Sequence, residues 1–365
     1  MYPLAVNLLL AISTSQMPSD VTIRQIKLGD TNPIVVTALQ DGLTTPLSAE
    51  LARKVSKSVV GVRIGRVVVG TAVIISNNGF ALTTGDIAFE ADGNPKTGLS
   101  VSFEDGNSAY ASVYAYDPVT DLTLLRIENL PTKSAVAVNI SKNEPSEVVL
   151  AYVSQGAVRS SVTRKSLVGV MSSNRRFMPL FEVRLESGWG MINSAPLFDT
   201  DGSLVGLLMA SLSNIDQSKD AVKQPNIARD FAGSLHNFGP RQPVVAYSLS
   251  TKALDRVVQG LLTKGFASHP WIGVYFTNAS PNGALVSDLV PDSPAAKGGL
   301  MKGDIIFYAN QTPIKTQLDL ASFLFEREVN ERIVLRVKRG GSELAFTVTI
   351  QNDPNSTSKS LKRVF

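Results

Sequence analysis

Glu186-Ser187-Gly188-Trp189-Gly190-Met191-Ile192-Asn193-Ser194-Ala195-Pro196-Leu197-Phe198, followed by Asp201-Gly202-Ser203-Leu204-Val205-Gly206, is the stretch that decides how this chain is read. A glycine-rich loop enters an apolar run at Pro196-Leu197-Phe198, an Asp-Gly turn reverses the chain, and a second apolar strand returns from Leu204. Upstream, the same grammar recurs. Gly70 to Thr84 reads as a hairpin turning at Asn78-Gly79. Leu99 to Phe103 alternates apolar and polar residues before Asp105-Gly106, and Asp117-Pro118-Val119-Thr120-Asp121 leads into an apolar run from Leu122 to Ile127. Short strands with Gly and Asn turns continue to Ala210, the pattern of a pair of six-stranded antiparallel barrels.

The rest of the chain sets the bounds. Its 365 residues exceed one typical core and suit two to three domains. With 44% hydrophobic and 18% charged residues the composition is that of a globular protein. The net charge of +4 is spread without a basic stripe or interleaved aromatics, so a nucleic-acid partner is not expected. The absence of cysteine excludes disulfides, zinc-thiolate sites and thiol catalysis. At the N-terminus, the apolar run Leu4 to Ile12 followed by Ser13 and Ser15 reads residues 1–16 as an export signal, too short for a membrane anchor. Residues 17–45 form an extension with two short strands, around Val21 to Leu28 and Ile34 to Val36. Pro46 to Val60 reads as a helix capped by Ser48, with Leu51, Ala52, Val55 and Val59 on one face. The polar stretch 211–242 reads as a surface insertion, and Pro243 to Leu249 as a further strand.

The stretches quoted resemble the HtrA/Deg family of trypsin-like serine proteases, whose nucleophile loop runs Gly-Asn-Ser-Gly-Gly-Pro-Leu. Aligned on Pro196-Leu197, Asn193 stands at the nucleophile and Met191, Ser194 and Ala195 at the glycines. Asp86, in Thr84-Gly85-Asp86-Ile87-Ala88, stands where the resemblance places the histidine base, and Asp121 where it places the orienting carboxylate. The resemblance implies a mainly β chain, a trypsin-like double antiparallel barrel over 46–249. A linker helix over 250–268 would carry Leu254, Val257, Val258, Leu261 and Leu262 at helical spacing and stop at Gly265.

From His269 the chain is similar to a bacterial PDZ domain over 269–352, in Trp271-Ile272-Gly273-Val274, Gly283 to Val286, Val290 to Leu300, Lys302 to Ile306 and a strand pair around Arg339-Gly340-Gly341. Ser293 with Pro294 opens one short helix, and Thr316 with Asp319 gives a capping box for a second helix carrying Leu320, Phe323 and Leu324. Such a domain adds a free C-terminus as a strand, its carboxylate held by backbone N–H groups. Trp271, Ile272, Gly273 and Val274 match that loop, and Ile272, Val274, Leu320 and Leu324 would line the terminal pocket. Asp353 to Phe365 reads as a flexible tail whose Val364-Phe365 end is itself a candidate ligand.

Serine hydrolysis needs an imidazole bonded to a hydroxyl and two N–H donors for the oxyanion. Asn193 cannot attack an acyl carbon, Asp86 is too weak a base, and Met191 resists the backbone turn that glycine allows. The expectation is a pseudoprotease binding protein C-termini or unfolded segments as a scaffold, adaptor or regulator. The resemblance implies an oligomer, either of one chain or mixed with an active relative. Two alternatives stay open: an active endopeptidase using Ser194, and a structural subunit of a larger complex. No cofactor or metal is expected, because Asp86 and Asp121 fall short of a calcium ligand set and His236 and His269 read as surface residues.

Overall fold

A computed structural model describes residues 48–90, 92–131, 135–154, 157–171, 177–185, 194–213 and 244–356. The expected export signal, the extension, Met191, Asn193, His236 and Val364-Phe365 all lie outside these described residues.

Helix α1 (Ala49–Ser56) opens the described chain, its N-terminus capped by the Ser48 hydroxyl accepting from the N–H of Leu51 at 3.1 Å. It ends sooner than its periodicity suggested. Val59 belongs instead to β1 (Val59–Ile64), because the Ser58 hydroxyl bonds back to the carbonyl of Val55 and turns the chain out.

Strands β1, β2 (Val67–Ser76), β3 (Phe80–Thr84), β4 (Leu99–Ser102), β5 (Ser108–Asp117) and β6 (Leu122–Ile127) close a six-stranded antiparallel barrel in the order β1-β2-β3-β6-β5-β4. Its interior is a dry set of Val60, Val62, Ile74, Leu99, Val101 and Leu125. The short helix α2 (Gly85–Ala88) follows β3 directly.

The second half has β7 (Glu147–Ser154), β8 (Ala157–Met171), β9 (Phe177–Leu185), β10 (Pro196–Phe198), β11 (Leu204–Leu207), β12 (Ala210–Ser213) and β13 (Val244–Ser248). These form a seven-stranded sheet in the order β11-β10-β7-β8-β9-β13-β12, where six strands were expected. The extra strand arises from one bent run. β11 and β12 are separated only by Leu208 and Met209; the first half pairs with β10 and the second with β13, so both ends of the sheet meet on one stretch of chain. Leu208 bonds to Ala195 on one side while Met209 bonds to Tyr247 on the other. The polar insertion therefore starts no earlier than residue 214.

Helix α3 (Thr251–Lys264) links the halves of the molecule, capped by Ser250 and ended by Gly265 in the left-handed region. Its Leu254, Val257, Val258 and Leu261 share a core with β2, β6, β7 and β10 residues such as Val73, Leu124, Ala151 and Phe198.

The C-terminal part contains β14 (Pro270–Trp271), β15 (Val274–Asn278), β16 (Ala284–Leu289), α4 (Pro294–Lys297), β17 (Ile305–Ala309), β18 (Thr312–Pro313), α5 (Gln317–Phe325), β19 (Arg332–Arg339), β20 (Ser342–Thr349) and β21 (Gln351–Asn352). Its main sheet runs β15-β16-β17-β19-β20, and β14 pairs with β21 apart from it. Both helix starts appear as expected, Ser293 capping α4 and Thr316 with Asp319 forming a capping box on α5. A separate core of Ile272, Val286, Ile306, Leu320, Ile333 and Val337 fills this part. The first residues of the expected tail are packed: Asp353 and Ser356 are each 7% exposed, because Asp353 donates its N–H to the carbonyl of His269.

Candidate functional site

Two places collect the residues singled out by the sequence. The first lies where the closed barrel meets the second sheet. Thr84 ends β3, and the turn into α2 brings Asp86 to the position of interest, half-buried. Asp121 stands just before β6 at φ 59°, a left-handed position. Its carbonyl accepts from the N–H of Gly85 at 2.8 Å, and its carboxyl accepts from the Tyr116 hydroxyl at 3.0 Å. Only glycine fits at position 85, since a Cβ there would lie 2.2 Å from Asp121 Oδ1.

These contacts set the charge state. Burial pushes the Asp121 carboxyl well above the ordinary carboxylate range, the neighbouring Asp86 pushes it further, and the bonds from Tyr116 and the N–H groups of Asp86 and Gly85 offset only part of this. The site thus disfavours the Asp121 anion, whereas the orienting acid of a triad is an anion.

The Thr84 hydroxyl donates to Asp86 Oδ1 and also contacts the Ser194 hydroxyl. With that proton spent on Asp86, Ser194 is the donor to Thr84, and Ser194 Oγ in turn accepts from the N–H of Thr84 at 2.9 Å. Ser194, 0% exposed, therefore fastens the start of β10 to the end of β3. Thr84 and Tyr116 had no sequence signal for these roles.

The second place is the edge of the C-terminal sheet. β15 is paired on one side only among the described residues, by β16, and α5 lies beside it. The approach to β15 is the segment Trp271-Ile272-Gly273. Gly273 has φ 75°, and a Cβ on it would sit 2.2 Å from the Cβ of Ser293. The carbonyls of Ile272 and Gly273 accept from the N–H groups of Ala295 and Val290, each at 2.9 Å. Among the described residues neither Ile272 nor Gly273 has a recorded acceptor for its own N–H. Val274 and Leu324 are half-buried against the core. Ile272 and Leu320, expected to line a pocket, are buried at 3% and 0% exposure and belong to the core of this part.

A third feature contradicts the sequence reading. His269, expected on the surface, is 1% exposed, its Nε2 2.8 Å from Oδ1 of the equally buried Asp117. The other Asp117 oxygen accepts from the N–H and hydroxyl of Thr120, at 3.2 and 2.5 Å. Burial raises the Asp117 carboxyl, but the His269 ring and the bonds from His269 and Thr120 outweigh it and hold the group below the usual carboxylate range. The Asp-x-x-Thr spacing at 117–120 is a turn signal that marked Asp117 as a local acceptor. Nothing in the sequence pointed to a partner 152 residues away. No group of three or more His, Cys, Asp or Glu side chains able to hold a metal occurs among the described residues.

Comparison with known proteins follows this division. The trypsin-like peptidase domain family matches residues 70–207 and the PDZ domain family residues 270–350. A curated relative from Marinomonas sp., named "Probable periplasmic serine endoprotease DegP-like", is 27% identical over 303 residues, 78% of this chain and 57% of the relative. A relative of the same name from Pseudomonas putida is 26% identical over 301 residues, with 78% and 56% covered. The chain thus spans little more than half the length of these relatives. Among solved structures, the HtrA-type protease AlgW with a tripeptide superposes with a TM-score of 0.58 at 20% identity, covering 83% of this chain and 97% of that one. The serine endoprotease from Yersinia pestis gives 0.51 at 20% identity, covering 85% and 100%. At these identities the superpositions speak for the fold.

Proposed function

Because this chain belongs to the HtrA/Deg family, a trypsin-like domain followed by a PDZ domain, we propose that it binds protein C-termini or unfolded segments at the β15 edge and does not hydrolyse them. The observation that carries the non-hydrolytic reading is Asp86. Where a base is needed, the chain offers a carboxylate already bonded to Thr84 and set beside Asp121. His269, the one histidine among the described residues, is committed to Asp117. Binding is supported by the open β15 edge, by the paired N–H groups of Ile272 and Gly273, and by the half-buried Val274 and Leu324 beside them. The role is that of a scaffold, adaptor or regulator, in an oligomer of its own or with an active relative. Export to the periplasm is proposed on the names of the relatives and the Leu4 to Ile12 run.

A second reading, an active serine endopeptidase, is favoured by those same names, which describe endoproteases. Its nucleophile would be Ser194, whose hydroxyl must first leave Thr84 and become exposed. One experiment on the full chain separates the two. Fluorophosphonate labelling and casein cleavage are measured beside capture of a C-terminal peptide library, with Ser194→Ala and Gly273→Asp variants. The proposal expects no labelling and carboxylate-dependent capture that Gly273→Asp abolishes. Labelling lost in Ser194→Ala would establish the endopeptidase instead.

A further inference from the structure

The PDZ domain is entered through two successive residues that are fastened to groups outside it. Arg256, on α3, donates from Nη1 to the carbonyl of Ser268. His269 then meets Asp117, at the end of β5 in the trypsin-like domain, through the 2.8 Å bond between two side chains each 1% exposed. The same His269 donates its N–H to Asn352 Oδ1 at 2.7 Å, and its carbonyl accepts from Asp353 at 2.8 Å. Both strands of the small β14–β21 ladder are therefore tied, at its Pro270–Asn352 end, to one residue. Three residues on from His269 come Ile272 and Gly273, whose N–H groups have no acceptor among the described residues.

A two-residue ladder carries too few bonds to be stiff by itself. The direction of the Ile272 and Gly273 N–H groups is set downstream, where Ala295 and Val290 hold their carbonyls, and upstream by the position of His269. Beyond the two backbone bonds of His269, its ring has no second anchor besides Asp117, since its Nδ1 is buried with no partner among the described residues. With Asp117 ionised and acceptor-only, Nε2 carries the proton of the bond. Removing Asp117 would leave both ring nitrogens buried and unpaired, an arrangement that relaxes by moving the ring and with it the start of β14.

We infer that Asp117 and His269 are positioning residues for the carboxylate-binding segment Ile272–Gly273, so that a residue of the trypsin-like domain sets how tightly the PDZ domain holds a free C-terminus. The inference rests on the reading of Ile272–Gly273 as the carboxylate cradle. Asp117 is suited to the task because its two oxygens serve different domains: Oδ1 bonds His269, and Oδ2 holds Thr120 in the turn that presents Asp121.

The test uses the full chain and a fluorescent heptapeptide with the sequence of residues 359–365, once with a free carboxylate and once amidated. Fluorescence anisotropy gives the Kd of each for wild type, Asp117→Ala, Asp117→Asn, His269→Gln and Thr120→Val. The expected result is a free-carboxylate preference in wild type. Asp117→Ala and His269→Gln should raise the Kd of the free peptide about tenfold and shrink that preference. Asp117→Asn, which keeps an acceptor for the Nε2 proton, should recover most of the affinity, and Thr120→Val, which removes only the hydroxyl bond to the other Asp117 oxygen and keeps the N–H bond, should match wild type. A preference that persists unchanged in Asp117→Ala and His269→Gln overturns the inference and leaves the cradle reading intact. Equal binding of free and amidated peptide in wild type overturns both. Loss in Thr120→Val equal to that in Asp117→Ala would place the effect in the β5–β6 turn and also overturn it.

Discussion

Asp121 and Asp117 lie four residues apart in one turn, both buried, and their carboxyls are driven in opposite directions. The difference is the partner. Asp117 faces an imidazole and a hydroxyl, so its anion is favoured; Asp121 faces a second carboxylate and a phenol, so its neutral form is. The effects on stability follow with opposite signs. In the unfolded chain both titrate at about 3.9. The folded chain holds the Asp121 proton to higher pH, so stability tied to Asp121 is full below the unfolded value and is lost as pH rises through the folded one. For Asp117 the contribution is present above the unfolded value and is lost as pH falls through the folded, depressed one. Asp121→Asn keeps the acceptor for Tyr116 and removes the charge. The variant should melt above wild type at pH 7, with the gap closing as the pH is lowered to 4; a melting temperature at pH 7 equal to or below wild type would contradict the upward shift of Asp121. The residue types at 86, 121 and 193 were legible in the sequence, and their reading as a vestigial triad is part of the proposal. The upward shift of Asp121 was not legible, because it follows from burial and from the nearness of Asp86, which no sequence pattern encodes.

Helix α5 teaches the same lesson one level up. Its start was readable, since Thr316 and Asp319 form a capping box that needs no tertiary context. Its faces were only half readable. Leu320 and Phe323 point into the PDZ core as their spacing implied, but Phe325 joins the other cluster, the one containing Leu254, Val257 and Val258 of α3 and Phe198 of β10. A helix buried on two sides has no polar stripe, and periodicity then carries no direction. The bent run β11–β12 is a comparable case, where the local pattern gives one strand and the closure of the sheet divides it at Leu208-Met209. Phe325 also sits under the Arg256 guanidinium, which donates from Nη2 to its carbonyl at 3.1 Å. Phe325→Ala should therefore cost about 3 to 5 kcal/mol, as truncation of a buried aromatic does. Truncation of the helix cap by Thr316→Ala should cost only about 1 kcal/mol. Denaturant unfolding of the two variants checks the ratio; equal, small losses would mean that α5 is anchored by the PDZ core alone.

At the scale of the molecule, the contacts that join the trypsin-like and PDZ domains among the described residues include the Asp117–His269 bond, the Arg256 bonds to Ser268 and Phe325, the Lys252–Glu326 ion pair, and the packing of Phe325 and of α5 against β9. The Asp117–His269 bond and the packing of Phe325 are buried, whereas the Lys252 side of the Lys252–Glu326 pair is exposed. Domains joined only by a linker unfold separately, whereas buried polar bonds and a shared apolar core transmit the loss of one domain to the other. The full chain should accordingly show one calorimetric transition for the two domains, with its van't Hoff enthalpy close to the calorimetric one. His269→Ala removes the pairing of a buried carboxylate and leaves it uncompensated, a loss of about 3 to 5 kcal/mol concentrated at the interface. In that variant the transition should split, the PDZ domain melting by itself while the trypsin-like domain, whose own barrels share Val73, Leu124 and Phe198 in one core, melts later. Two resolved transitions already present in wild type would show that these contacts do not couple the domains. A single transition in both proteins would assign the coupling to the other interdomain contacts, Phe325, Arg256 and the α5–β9 packing, and leave the Asp117–His269 bond a local role.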